Sequence, residues 1–115
     1  MWSMSKRLVD HDHLRRVVSL PCMMLRAGFY THSKAIQAHH LLKPSDGRRG
    51  LSLKSGDDQV IPLCYHCHAQ LHTKYGSEAA FFKARGMAPD AGQKYAKELY
   101  EKTLWERENP SDLPF

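Results

Sequence analysis

Two pairs of histidines are the residues of this sequence whose types and spacing could do chemistry together. His39 and His40 are adjacent in the run AIQAHHLL, and His68 and His72 are four residues apart in YHCHAQLHTKY. Residues four apart on a helix share one face, with Cβ atoms about 5–6 Å apart, so two imidazoles at that spacing can bind one metal ion. Neighbouring side chains on a strand point to opposite sides or splay around a twist.

The order of the two pairs is more informative than either pair alone. A helical His-x3-His by itself is commonly a pair of solvated or core-edge histidines. Here a His-His strand is followed by a long loop, a strand ending in Pro-Leu-Cys, and then the helix with His68 and His72. This order favours a metal site assembled from a strand and a helix.

Periodicity and the positions of Gly and Pro predict the elements that carry these histidines. The predicted elements are a helix over 10–20, strands over 35–42 and 59–64, a helix over 65–75, a short helix after Ser77 and a last helix after Pro89. Pro21, Gly76 and Gly86 are expected to end helices, and KPSDGRRG is expected to be an exposed loop. The apolar stripe predicted for the last helix consists of Tyr95, Ala96, Leu99, Tyr100 and Leu104. Together these elements predict a single small α+β domain.

Length and charge limit the class of protein. The chain has 115 residues and fits one domain, since domains commonly have about 100–150 residues. Its formal net charge of +5 mildly favours polyanionic partners. No apolar run reaches the roughly 18–20 residues of a membrane span, and the N-terminus lacks the apolar core of a secretory signal. We therefore expect a cytoplasmic protein without a membrane partner, whose three cysteines are metal ligands or buried thiols rather than disulfides.

Several runs of the sequence resemble one protein family. QAHHLL and LKSGDDQVIPLCYHCHAQLH resemble the HNH endonucleases, and more closely the phage-associated group that includes the recombination-enhancement nucleases. HLRRVVSLPC resembles the lead-in helix of that group, and GSEAAFFKARGMAPDAGQKYAKELY resembles its C-terminal helices, so the resemblance covers about residues 11–104. It implies one HNH nuclease domain over 1–115, with a loose N-terminus over 1–9, a ββα-metal (His-Me finger) core over 36–75 and C-terminal helices over 77–108.

The resemblance also implies a role for each histidine of the two pairs. His39, His68 and His72 would bind a divalent cation and leave positions open for a phosphate oxygen and water. His40 would be the general base, because an imidazole with an ordinary pKa of about 6.5 can take a proton from water at neutral pH. The hydroxide would attack phosphorus in line and leave 5′-phosphate and 3′-hydroxyl ends. Three imidazoles accept Zn, Ni, Co or Mn, and oxygen ligands from phosphate and water also allow Mg.

Two acidic residues are candidates for a supporting catalytic role. The closely resembling group has an Asp at the position of Asp57, and either Asp57 or Asp58 could fix the loop or orient His40. The alternative is a turn-forming Gly-Asp-Asp in a surface loop. Contacts to the nucleic-acid backbone are expected from three basic residues between the strands, namely Arg48, Arg49 and Lys54. Their alternative is a solvated basic loop.

The cysteines depart from the pattern of the family, which commonly carries a structural zinc held by two Cys pairs. The thiols offered by this sequence are Cys22, Cys64 and Cys67. Leu25 stands where the fourth Cys is expected, although a closed zinc site normally has four protein ligands. His32 or His66 could complete a structural zinc site, and the alternative is three thiols packed as small apolar groups.

Other interpretations start from the same residues. The run from Cys64 to His68 also spells the C-x2-C-H motif of c-type haem attachment, but that motif belongs to exported proteins and leaves the other histidines unexplained. HAQLH resembles the zinc-peptidase motif H-E-x-x-H, but Ala69 replaces the general-base Glu. The competing function is a non-catalytic zinc module that binds DNA or a protein. Such a module has no need of a base beside a metal ligand, which is what His40 would be.

We therefore expect a metal-dependent DNA endonuclease of low intrinsic sequence specificity, since no separate base-reading module is visible. DNA is the expected partner and a divalent metal the expected cofactor, with no small-molecule cofactor. A phage or prophage role in recombination, DNA processing or packaging follows from the resemblance alone.

Overall fold

A computed structural model describes residues 7–29, 35–44 and 55–110 of the chain. The elements are α1 (His11–Val18), α2 (Met23–Arg26), β1 (Ile36–His40), β2 (Val60–Cys64), α3 (Tyr65–Gln70), a π-helical turn (Leu71–Tyr75), α4 (Glu78–Lys83) and α5 (Ala91–Glu108). Helices and a two-stranded sheet make this an α+β fold, which confirms the predicted class. None of the helices in these three ranges is long and apolar enough to cross a membrane.

The sheet consists of β1 and β2 in antiparallel register. Ile36 faces Cys64 at one end of the ladder, and His40 faces Val60 at the other. An isolated pair of strands is at best marginally stable in water, so the helices must cover it. All five residues of β2 are buried, which agrees with a strand that is packed on both faces.

Two apolar clusters hold the helices against the sheet. In the larger one, α2, both strands, the π-helical turn, α4 and α5 meet through side chains that include Met24, Leu41, Ile61, Leu63, Leu71, Phe81, Phe82 and Ala96. In the smaller one, Val17 of α1 and Leu99 of α5 pack against Val60 of β2. The approach of α5 is close, because a Cβ atom at Gly92 would lie 2.9 Å from Cε2 of Phe82. The sheet that carries His39 and His40 is therefore fixed from several sides.

The helix boundaries follow from side chains that satisfy free backbone groups. The Asp10 carboxylate accepts a hydrogen bond from the His13 N–H at the start of α1, and the Ser77 hydroxyl accepts one from the Ala80 N–H at the start of α4. Gly76 has a φ of 76°, a left-handed conformation that ends the π-helical turn at low cost. The short connection through Gly76 and Ser77 brings α4 back onto the end of β1.

Three local features differ from the sequence expectations. Leu104 is 42% exposed, whereas Thr103 is 2% exposed and takes its place in the buried stripe of α5. A polar residue is accommodated there because Nδ1 of His13 lies 2.8 Å from the Thr103 hydroxyl oxygen. The short helix α2 was not predicted. Of the segment expected to be loose, residues 1–6 lie outside the described residues, and the Leu8 carbonyl accepts a hydrogen bond from the Asp57 N–H at 2.9 Å.

Candidate metal centre

Three histidines from three elements converge on one point. His39 comes from β1, His68 from α3 and His72 from the π-helical turn that continues it. The centroid of the His39 ring lies 4.9 Å from that of His68 and 5.2 Å from that of His72, and the centroids of the His68 and His72 rings lie 4.8 Å apart. One nitrogen of each ring lies within 4.8 Å of the other two, so the cluster is positioned to hold a metal ion. His39 is buried, whereas His72 is exposed.

Hydrogen bonds occupy the second nitrogen of two of these rings. Nε2 of His39 lies 2.8 Å from a carboxylate oxygen of Glu78, and Nδ1 of His68 lies 2.5 Å from the side-chain oxygen of Gln37. A carboxylate and an amide oxygen only accept, so both ring nitrogens act as donors. The lone pairs therefore lie on Nδ1 of His39 and Nε2 of His68. Histidines that bind metals are commonly oriented through their other nitrogen in this way.

The surroundings of His68 and His72 favour the neutral form of these two imidazoles. Burial, followed by the neighbouring His39 and His72 rings, lowers the pKa of His68 to about 4. Burial and the His39 ring also lower the pKa of His72. Only the neutral ring has a lone pair for a metal, so proton competition at His68 and His72 is weak at neutral pH.

The donor set fits a divalent transition metal. Metal–nitrogen bonds of about 2.0–2.1 Å bring the donors of a tetrahedral site to about 3.4 Å from one another, so small side-chain adjustments from the present spacing suffice. Imidazole suits Zn, Ni, Co and Mn better than Mg, which prefers an oxygen shell. The exposure of His72 leaves one side of the cluster accessible to solvent and to a ligand.

His40 lies next to His39 but is held by a different group. Its Nε2 lies 2.9 Å from an oxygen of Asp57, and its side chain is 17% exposed, against 1% for Asp57. The ionised carboxylate accepts a hydrogen bond from Nε2–H, so Nδ1 is the unprotonated nitrogen of a neutral His40 ring. Asp57 thus occupies the position expected of a residue that orients His40.

Asp57 is itself held by the N-terminal segment. Arg7 donates to Asp57 at 2.6 Å, and the Asp10 N–H donates to its other oxygen at 2.8 Å. Burial alone raises the pKa of Asp57, but the hydrogen bonds from Asp10, His40 and Arg7 outweigh it and lower the pKa below its ordinary value. The carboxylate that faces His40 is therefore ionised at neutral pH.

The Asp10 side chain connects this segment to the last helix. It accepts from the two terminal guanidinium nitrogens of Arg107 at 2.6 and 2.8 Å, and from the Tyr100 hydroxyl at 3.0 Å. The hydrogen bond to Arg107 is the largest effect on the carboxyl of Asp10, and it holds the pKa well below the ordinary value. A chain of contacts therefore runs from α5 through Asp10 and Asp57 to His40.

The other predicted site residues are placed differently. Asp58 is half-buried and accepts a hydrogen bond from the Gln59 side chain at 3.2 Å. Of the two acidic candidates, the structure thus brings Asp57 to His40. All three residues predicted to contact DNA lie outside the described residues, as does His32; they are Arg48, Arg49 and Lys54.

The three cysteines form a second cluster. One donor atom of each lies within 4.8 Å of the other two, and Cys22, Cys64 and Cys67 are all buried. The hydrogen bond from Cys67 lowers the pKa of Cys22 to about 5, despite the opposing effect of burial, and the N–H groups of Cys64 and Met24 add to it. The same hydrogen bond and burial raise the pKa of Cys67. The cluster is positioned to hold a metal, and Leu25, where a fourth thiol was expected, is 51% exposed.

Sequence reasoning missed the residues that orient the histidines. Glu78 follows the Ser77 cap, where an acidic residue is favourable for any helix, so the sequence gives no signal of a contact with His39. Gln37 is two residues before His39, and this period-two spacing on a strand could have indicated a shared face. Arg7 and Asp10 are 50 and 47 residues from Asp57, and no local pattern connects them.

Comparisons of the chain with protein-family models, with curated proteins and with solved structures gave no match.

Proposed function

We propose that this chain is a metal-dependent DNA endonuclease of the HNH class, with β1, β2 and α3 as its ββα-metal core. The observation that carries the proposal is the pair of neighbouring histidines on β1. His39 contributes to a cluster of three imidazoles, while His40 is backed by the buried carboxylate of Asp57. A metal ligand beside a carboxylate-supported imidazole is an arrangement that can catalyse hydrolysis of a phosphodiester.

In this mechanism His40 is the general base. Nδ1 accepts a proton from a water molecule that attacks phosphorus, while Nε2–H remains bonded to Asp57. The ionised Asp57 keeps the imidazole in this tautomer and stabilises the positive charge that appears on the ring. Arg7 and the Asp10 N–H keep Asp57 ionised and in place.

The residues that would hold the metal are His39, His68 and His72. When bound, a divalent ion supplies Lewis-acid stabilisation of the charge that develops on the phosphate and the departing oxygen. The solvent-exposed side of the cluster, at His72, leaves room for a phosphate oxygen to approach. Zn, Ni, Co and Mn suit the three nitrogens, and Mg requires oxygen from substrate and water to complete its shell.

The finer expectations belong to the same proposal. The net charge of +5 supports a polyanionic substrate, and DNA is the substrate of the family that the sequence resembles. Low sequence specificity, 5′-phosphate products and a phage-associated role in DNA processing follow from that resemblance. The cysteine cluster supports a second, structural metal, which would fix the start of α3 near His68.

The cysteine cluster also favours a second candidate function, a zinc-stabilised module that binds nucleic acid without cleaving it. The thiols of that cluster are buried in the larger apolar core, as expected of a structural site. A purely structural role leaves the Asp57–His40 pair without a purpose, which is why we place this candidate second.

Plasmid cleavage with Mg, Mn, Ni, Co or Zn tests the proposal. The wild-type protein should cut in at least one of these metals, and His40→Ala should cut at least about 100-fold more slowly, the usual contribution of a general base. The matched control is His11→Ala, because His11 is an exposed histidine on α1. Metal affinity should be unchanged in both variants. Equal cleavage by wild type and His40→Ala would exclude this mechanism.

A further inference from the structure

Glu78 is a buried acidic residue at the first position of α4, with a relative exposure of 7%. One of its oxygens lies 2.8 Å from Nε2 of His39 and also accepts the Leu42 N–H at 2.6 Å. The other oxygen accepts the Lys43 N–H at 3.2 Å. A single carboxylate thus joins α4 to a histidine of the metal cluster and to the backbone that follows β1.

These contacts keep the carboxylate charged inside the protein. The two oxygens of Glu78 accept three hydrogen bonds, from the His39 ring and from the Leu42 and Lys43 N–H groups. A buried charge is tolerated when every oxygen has donors of this kind. With donors on both oxygens, Glu78 can be accommodated inside the protein as a carboxylate that accepts from His39.

We propose that Glu78 is a positioning residue of the metal site, which acts on the bound ion through His39. Its carboxylate fixes the proton of His39 on Nε2, so that Nδ1 presents its lone pair to the ion. A charged acceptor on the far nitrogen also makes an imidazole a stronger ligand. This inference rests on the metal-binding part of the proposed function.

Helix α4 thereby becomes part of the site rather than a flanking element. The contact from Gln37 to His68 is the neutral counterpart, since an amide oxygen is a weaker acceptor than a carboxylate. The loss of Glu78 should accordingly weaken metal binding more than the loss of Gln37.

The test is titration of the reduced protein with Co2+, a probe whose absorption separates imidazole from thiolate ligands. Glu78→Gln keeps the size of the side chain and one acceptor oxygen but removes the charge. We expect its Co2+ affinity at the imidazole site to fall about 10- to 100-fold, the usual effect of removing an outer hydrogen-bond partner. Glu98→Gln is the matched control, because Glu98 is exposed on α5 and paired with Arg26. Wild-type affinity in Glu78→Gln would overturn the inference.

A structural role for Glu78 predicts a different pattern in a double-mutant cycle. In a His39→Ala background the remaining ligands, His68 and His72, still bind Co2+ weakly. If Glu78 acts through His39, adding Glu78→Gln there should change the affinity by no more than about twofold. A loss in that background as large as in the wild type would show general damage to the fold and overturn the inference.

Nitrogen NMR of the His39 ring in the Zn2+-loaded wild type tests the same point without a variant. We expect a proton on Nε2 and the metal on Nδ1, and the reverse assignment would overturn the inference. Failure of the two proposals is distinguishable. If metal binding depends on Glu78 but the wild type does not cleave DNA, the nuclease proposal is overturned and the inference about Glu78 stands. If the wild type cleaves DNA but Glu78→Gln binds Co2+ normally, the nuclease proposal stands and the inference about Glu78 is overturned. A wild type that binds no metal overturns both.

Discussion

Cys67 and His68 are neighbours on α3, yet they belong to two clusters with different surroundings. Each cluster brings three potential ligands within 4.8 Å of one another. The cysteines are all buried in the larger apolar core, whereas the histidines run from buried His39 to exposed His72. His39 and His68 also have hydrogen-bond partners on their second ring nitrogens. His40, which follows His39 on β1, has a carboxylate partner of its own in Asp57.

This difference indicates what each cluster is suited to do. A closed, buried set of thiols can stabilise the fold but gives a substrate no access. A partly exposed set of oriented imidazoles, beside a histidine that is paired with a carboxylate, is suited to bind a metal together with a ligand from solvent. Ligand number alone does not separate the two roles. Exposure and the surrounding hydrogen bonds do.

The largest expected effects come from removing one ligand from the histidine cluster or one from the cysteine cluster. His72→Ala should weaken Co2+ binding at the imidazole site by more than about 100-fold, beyond the cost of losing an outer partner, and should abolish cleavage. Its Tm should change little, because His72 is exposed. Cys67→Ser should do the reverse, with a lower Tm and with cleavage by the folded fraction retained. A large loss of cleavage in both variants at full folding would mean that the two clusters act as one site.

A smaller effect tests the base beside the cluster. Asp57→Asn keeps the shape of the side chain but removes the charge that orients His40 and stabilises it when protonated. We expect cleavage to fall about 10- to 100-fold while the Co2+ affinity stays unchanged, since Asp57 contacts none of the three ligands through the bonds described above. Asp58→Asn is the matched control, because Asp58 bonds to Gln59 instead. Equal loss in both variants would make Asp57 a loop residue rather than a partner of His40.

The smallest expected effect is on stability at acid pH, because the ionised carboxylate of Asp10 pairs with Arg107 in the folded protein. The folded state lowers the pKa of Asp10 below its ordinary value of 3.8, so its ion pair stabilises the fold above about pH 4 and is lost as the pH falls through the lowered pKa. Asp10→Asn keeps the cap oxygen of α1 but loses the charge. We expect its Tm to fall by about 2–5 °C at pH 7 and the difference to shrink towards acid pH.

Thermal melts monitored by circular dichroism from pH 7 to pH 3 would measure this difference. Asp12→Asn is the control, because Asp12 is exposed and forms its ion pair with Arg15 on the surface of α1. A pH-independent difference between Asp10→Asn and the wild type would show that the charge of Asp10 contributes nothing to stability.

Much of the chain could be predicted from local patterns. The spacing of apolar residues and the caps at Ser77 and Gly76 predicted the helices that the structure contains, apart from α2. The four-residue interval between His68 and His72 indicated a shared face, although a π-helical turn begins between them. The burial of Thr103 rather than Leu104 on α5 was not predictable, because it depends on a hydrogen bond between the Thr103 hydroxyl and His13 of α1.

The sequence by itself determined which residue types were available and how they were spaced along strand and helix: two adjacent histidines, a helical pair and three cysteines. Only the tertiary structure decided that Asp57 rather than Asp58 faces His40, and that Glu78 reaches His39 from α4. The physical reason is that periodicity reports contacts within one element, whereas these hydrogen bonds join residues 17 and 39 positions apart. Such contacts form only when the packing of β1, β2 and the helices fixes the distance between them.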